Sequence, residues 1–89
     1  MIRATIRISN KLGLHARASA KLTKLAGSFK SEVFMSRNGR RVNAKSIMGV
    51  MMLAAGAGTE VEIEIEGEDE QAAMQAITRL IEDKFGEGQ

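Results

Sequence analysis

Between residues 60 and 66 the chain alternates without a break, with Val61, Ile63 and Ile65 interleaved among Glu60, Glu62, Glu64 and Glu66. A period of two sends successive side chains to opposite faces of a strand, so this segment has one apolar face and one acidic face. Glutamates set so close together are expected to stand in water. The apolar face needs a cover, and in 89 residues without a cysteine that cover has to be packed helix rather than a disulfide framework.

The remaining pattern supplies the rest of the sheet and its helices. Ile2, Ala4, Ile6 and Ile8 alternate with Arg3, Thr5 and Arg7 as a first strand, which the loop Asn10 to Leu14, with Gly13, interrupts. From Ala16 the spacing changes. Ala18, Leu22, Leu25, Ala26 and Phe29 fall along one helical face, and Gly27 offers a natural stop. Glu32 to Ser36 and Arg40 to Ala44 read as two strands joined through Arg37-Asn38-Gly39, where Asn-Gly suits the positive φ angles of a tight hairpin. Ser46 can cap a short helix from Ile47 to Leu53, after which residues 54–58 are too glycine-rich for a regular element. A last helix opens with Glu68, Asp69 and Glu70, favourable at the positive end of its dipole, and carries Ala73, Ile77, Leu80 and Ile81 on one face before Gly86. The order is βαββαβα. Strands with one apolar face require one layer of helices, so the pattern predicts a two-layer α+β sandwich, one domain over residues 1–89, with a mainly antiparallel sheet.

Composition narrows the function classes. Hydrophobic residues at 44% and charged residues at 27% are those of a soluble globular domain. The longest apolar stretch, Ile47 to Gly58, falls short of the roughly 20 residues of a membrane-spanning helix. Met1 to Thr5 lacks the apolar core of a signal peptide, and a cytoplasmic location is expected. The net charge of +2 hides an asymmetry: residues 1–50 hold eleven basic and one acidic side chain, residues 51–89 two basic and ten acidic. Such a basic half could face an acidic partner, a phosphate or a nucleic acid. Small RNA-binding sandwiches stack bases on sheet aromatics, however, and this chain has only Phe29, Phe34 and Phe85, while four glutamates on one strand repel a phosphate backbone. No nucleic-acid partner is expected. One histidine and no cysteine give no metal site, and no organic cofactor is indicated.

The single histidine, His15, stands between the glycine loop and the first helix. The first N–H groups of a helix lack internal partners and carry partial positive charge, so the backbone at Ala16 and Arg17 is suited to phosphate oxygens. Arg17 adds a planar, permanent cation. Imidazole is a competent nucleophile near neutral pH. Together these groups predict an exposed histidine that accepts and releases a phosphoryl group through positioning and electrostatics.

Gly13-Leu14-His15-Ala16-Arg17, taken with Lys45-Ser46-Ile47-Met48-Gly49-Val50-Met51, resembles the HPr family, the histidine-containing phosphocarriers of the bacterial phosphoenolpyruvate-dependent sugar phosphotransferase system. The resemblance spans nearly the whole chain. It implies an open-faced β-sandwich of βαββαβα order, its four-stranded sheet covered on one face by three helices. It further implies that His15 is the phosphorylated carrier residue, that Arg17 stabilises the phosphoryl group, and that the protein works as a monomer. Enzyme I would phosphorylate His15 at the expense of phosphoenolpyruvate, and IIA components of sugar transporters would receive the group. A carrier of this kind is no stand-alone enzyme. The family usually reads His-Ala-Arg-Pro-Ala where this chain reads His15-Ala16-Arg17-Ala18-Ser19. Without the φ-fixing ring of proline, the turn that bears His15 is expected to be looser.

Ser46 is expected to act as an N-cap, and by resemblance it is the serine modified by HPr kinase/phosphorylase. A phosphate there would present a large negative charge to an acidic partner surface. A regulatory relative of HPr, serving metabolism rather than sugar uptake, is the alternative. The second helix is apolar on nearly every side, so part of it should lie exposed, and methionine adapts to several partners. The resemblance places Ile47, Met48 and Met51 at the rim of the active site, with Ala20 and Lys24 of the first helix completing the docking surface.

Overall fold

The computed structural model describes all 89 residues. Four strands, β1 (Ile2–Arg7), β2 (Glu32–Arg37), β3 (Arg40–Asn43) and β4 (Glu60–Glu66), form one sheet in the order β1-β4-β2-β3. Every pairing is antiparallel. Three helices, α1 (Ala16–Gly27), α2 (Ile47–Met52) and α3 (Glu70–Glu82), complete the βαββαβα order, and a short left-handed turn spans Lys84–Gly86. The alternating strands direct Ile6, Val33, Met35, Val61, Ile63 and Ile65 into a single core of 19 buried residues. From the helices Leu22, Val50, Ile77 and Ile81 meet them there. The hairpin between β2 and β3 turns on Asn38 (φ 52°) and Gly39 (φ 80°), the two positive φ angles that the Asn-Gly pair favours.

Two local expectations need correction and one holds. Gly27 ends α1 as expected. It is the last helical residue, and Ser28 closes the helix, its hydroxyl donating to the Leu25 carbonyl at 2.6 Å. Phe29 therefore lies past the helix end, half-buried against the core. Asp69 precedes α3 without capping it. Its carboxylate reaches back to the N–H groups of Lys30 and Ser31 and to the Ser31 hydroxyl, while Glu70 takes the end of the helix, accepting from Gly67 N–H at 3.2 Å.

The acidic face of β4 is also less exposed than expected. Glu64 is buried, and its two carboxylate oxygens are held by Arg41 Nε at 3.0 Å and Arg3 Nε at 3.1 Å. β4 lies between β1 and β2, so long basic side chains from β1 and β3 can lie over its central glutamate. The hydrogen bond from Arg41 is the main reason the Glu64 pKa lies below the ordinary carboxylate value. Burial opposes the shift, and the charges of Arg41 and Arg3 reinforce it. Arg41 also lies 3.8 Å above the Phe34 ring centroid, which packs its guanidinium flat on the sheet.

Candidate active site

His15 occupies the N-cap position of α1 in an extended backbone conformation (φ −74°, ψ 177°), and its side chain caps no helix N–H. The N–H groups of Ala16 and Arg17 make no hydrogen bond within the protein, so the helix start is open to an anion. The loop ahead of it is tightly held. Gly13 has a left-handed φ of 66°, Leu14 N–H donates to the Ala55 carbonyl at 2.9 Å, and His15 N–H donates to the Gly13 carbonyl at 2.9 Å. Ala18, where the family carries proline, is fully buried in the first turn. Buried Ser19 next to it donates its hydroxyl to the Leu14 carbonyl at 3.1 Å and its N–H to the His15 carbonyl at 2.8 Å. These bonds restrain the turn that proline would otherwise stiffen.

The imidazole is half-buried, not exposed as expected, with 27% of its side-chain surface accessible. Its Nε2 lies 2.5 Å from a carboxylate oxygen of Glu87, brought from the other end of the chain. Burial works against ionisation of Glu87. Hydrogen bonds from Asn10 and His15, with the neighbouring charges of His15 and Lys21, outweigh that and hold its pKa below the ordinary carboxylate value. An ionised carboxylate only accepts, so in the neutral ring Nε2 carries the hydrogen and Nδ1 the free lone pair.

A cleft of about 830 Å³ opens beside the ring, and Lys11, Leu12, Arg17, Lys21 and Glu87 contribute to its walls. Arg17 is exposed and pairs with no carboxylate in the protein, which leaves its guanidinium available to a ligand. Among the predicted partner-surface residues, Ile47, Met48 and Met51 are exposed on α2, Met48 at 70%, while Val50 of the same helix is fully buried. Ala20 is half-buried on α1, the helix that packs on α2. Lys24 lines a separate groove with Lys21, Leu25 and Leu80. Ser46 caps α2 as expected, its hydroxyl oxygen accepting from Gly49 N–H at 3.1 Å.

Sequence reasoning missed Leu12, Met52, Asn10 and Glu87. Leu12 (68% exposed) lines the cleft beside His15 and Met52 (57%) is a further exposed residue at the end of α2, and an apolar residue inside a polar loop was the available signal for Leu12. Nothing in the sequence connects Glu87 to a histidine 72 residues away.

No helix is long and apolar enough to cross a membrane. Residues 2–83 match the family model described as the PTS HPr component phosphorylation site. The phosphocarrier protein HPr of Cupriavidus necator is 65% identical over 89 residues, covering the whole of both chains. A crystal structure of HPr from Thermoanaerobacter tengcongensis superposes with a TM-score of 0.95 at 46% identity, covering 98% of each chain. A second structure from that organism, described as an HPr dimer, gives a TM-score of 0.79 at 46% identity, covering 98% of this chain and all of the other.

Proposed function

The chain belongs to the HPr family of phosphocarriers, and from that premise we propose that His15 is the residue that takes and returns the phosphoryl group. The observation that carries this reading is the His15 ring itself, its Nε2 hydrogen committed to Glu87 and its backbone opening a helix whose first N–H groups are free. The Nδ1 lone pair attacks phosphorus as the bond to the donor's leaving atom breaks, and the donor keeps that electron pair. Nε2 retains its proton throughout. The N–H groups of Ala16 and Arg17 and the Arg17 guanidinium receive the phosphoryl oxygens, whose charge is spread in a loose transition state. Transfer onward reverses the same step.

The donor in this reading is phosphorylated enzyme I and the acceptors are IIA components, all meeting the carrier in the cytoplasm. Ile47, Met48 and Met51 give the docking surface an apolar centre, with Ala20 beside it on α1, while Lys24, in the groove it shares with Leu80, supplies positive charge from the same helix. In this reading the working form is a monomer. Ser46, exposed at the edge of that surface, is the regulatory position for HPr kinase/phosphorylase. Its phosphate would set negative charge against an acidic partner.

The test is the intact mass of the protein after incubation with phosphoenolpyruvate, magnesium and enzyme I, beside a His15→Ala control. Gain of one acid-labile phosphoryl group by the unaltered protein alone is the expected result. Equal mass gains for the two proteins, zero included, would sink the assignment.

A further inference from the structure

The C-terminal segment beyond α3 folds back onto the start of α1. The chain reverses through three successive residues of positive φ, Lys84 (55°), Phe85 (56°) and Gly86 (75°), the first two of which are not glycine. Such backbone persists only where the surroundings fix it. Here Phe85 is buried in the core, its carbonyl accepts from Lys21 Nζ at 2.6 Å, and Lys11 N–H donates to the Gln89 carbonyl at 2.9 Å. The segment between these anchors carries Glu87.

Asn10 then aims the carboxylate. It is fully buried, and its amide nitrogen donates both to the Gly13 carbonyl at 2.8 Å and to Glu87 Oε1 at 3.1 Å. Its own Oδ1 has no partner. Reversing the amide would turn that oxygen toward two acceptor oxygens, so the orientation is fixed despite the orphaned atom. One oxygen of Glu87 is thereby held by Asn10 while the other meets His15 Nε2 at 2.5 Å.

From this we infer that Glu87 is a positioning residue for His15, one that locks the imidazole into the Nε2-protonated tautomer and balances its charge while Nδ1 bears phosphorus. The inference rests on His15 as the phosphoryl acceptor. When Nδ1 shares its lone pair with phosphorus, a ring that keeps its Nε2 hydrogen becomes cationic, and the adjacent carboxylate compensates it. No proton leaves the ring in either direction. The carboxylate approaches the nitrogen opposite to the one that reacts, and Lys11, Arg17 and Lys21 line the same cleft, so the anionic phosphoryl group is not met by an unbalanced negative charge.

The test compares the unaltered protein with Glu87→Gln and Glu87→Ala by two readouts. One is the nitrogen-15 spectrum of the His15 ring, which reports the tautomer. The other is the initial rate of phosphoryl acceptance from phosphorylated enzyme I. Glu87→Ala should mix the tautomers and slow acceptance by about tenfold, the scale on which the loss of an orienting partner of a functional histidine is felt. Glu87→Gln keeps an acceptor oxygen without the charge, so it should restore the single tautomer and recover only part of the rate. Should Glu87→Ala fail to fold, the Gln variant alone decides, by a retained tautomer with a slowed rate. Unchanged tautomer populations in Glu87→Ala, whether the rate falls or holds, would overturn the inference. Unaltered protein that takes no phosphoryl group overturns the acceptor assignment instead, and the ring spectra still report on Glu87.

Discussion

The Ala55 carbonyl oxygen lies 2.5 Å from where a β-carbon on Gly13 would stand, and Gly56 Cα lies only 2.7 Å from it. Real side chains do not tolerate that approach, and Gly13 has a left-handed φ of 66° besides. The contact is close because Leu14 N–H is bonded to that same carbonyl, which docks the loop bearing His15 on residues 54–58. Gly13→Ala should therefore cost about 2–4 kcal/mol of stability, combining backbone strain with overpacking. It should slow phosphoryl acceptance too. Urea unfolding beside the transfer assay checks both, and a stability loss under about 0.5 kcal/mol would contradict the packing account.

Arg17→Ala removes an exposed cation that no other residue of the protein uses. A charge-assisted hydrogen bond contributes about 1.5–3 kcal/mol, so acceptance from phosphorylated enzyme I should slow by about tenfold to a hundredfold. The thermal midpoint should stay where it is. Arg17→Lys should recover part of the rate, because it restores charge without the planar fork. Rates for the two variants that matched the unaltered protein would remove Arg17 from the site.

Two substitutions on the six-residue helix α2 should separate docking from folding. Met48→Glu alters an exposed residue and should leave stability within about 0.5 kcal/mol, yet weaken binding to enzyme I by about tenfold or more. Val50→Ala, at a fully buried position, should do the reverse, lowering stability by about 2 kcal/mol with affinity retained in the folded protein. Calorimetric titration with enzyme I and denaturant unfolding read the pair.

Ser46→Ala should cost about 1 kcal/mol, since it deprives Gly49 N–H of its acceptor at the start of α2. Ser46→Asp offers an alternative capping oxygen and should be the more stable of the two variants. Its added charge should nevertheless weaken docking to enzyme I. A shift of the urea midpoint in the opposite order would contradict the capping role.

Acid should loosen the junction between β2 and α3 only at the low end of the pH range. The Asp69 pKa is lowered from 3.8 to about 2, chiefly by the hydrogen bond from the Ser31 hydroxyl and then by that from Lys30 N–H. A depressed carboxylate contributes stability above its unfolded value and loses it as the pH falls through the folded one. The thermal midpoint of Asp69→Asn should thus lie below that of the unaltered protein by a constant amount from pH 7 to about pH 5. That gap should narrow as the pH falls from about 4 towards 2. A gap that stays constant down to pH 2 would mean the charge of Asp69 does not stabilise the fold.

What the sequence by itself determined is whatever depends on near neighbours. Strict alternation placed the faces of β1 and β4, helical spacing placed α1 and α3, and Asn38-Gly39 and Ser46 marked a turn and a cap whose geometry is complete within four residues. The motif around His15 was legible for the same reason, since acceptor, helix start and arginine are contiguous. Tertiary structure alone decided which groups from distant parts of the chain would meet. Glu64 shares the acidic pattern of its strand with three other glutamates, and only the strand order brings Arg3 and Arg41 over it. Glu87 is one carboxylate among many until the left-handed turn through Lys84, Phe85 and Gly86 brings the chain back and a buried asparagine aims it at His15. Local pattern sets which face of an element is apolar. The partner of a buried charge is set by where the elements come to rest, through contacts that no short window of sequence contains.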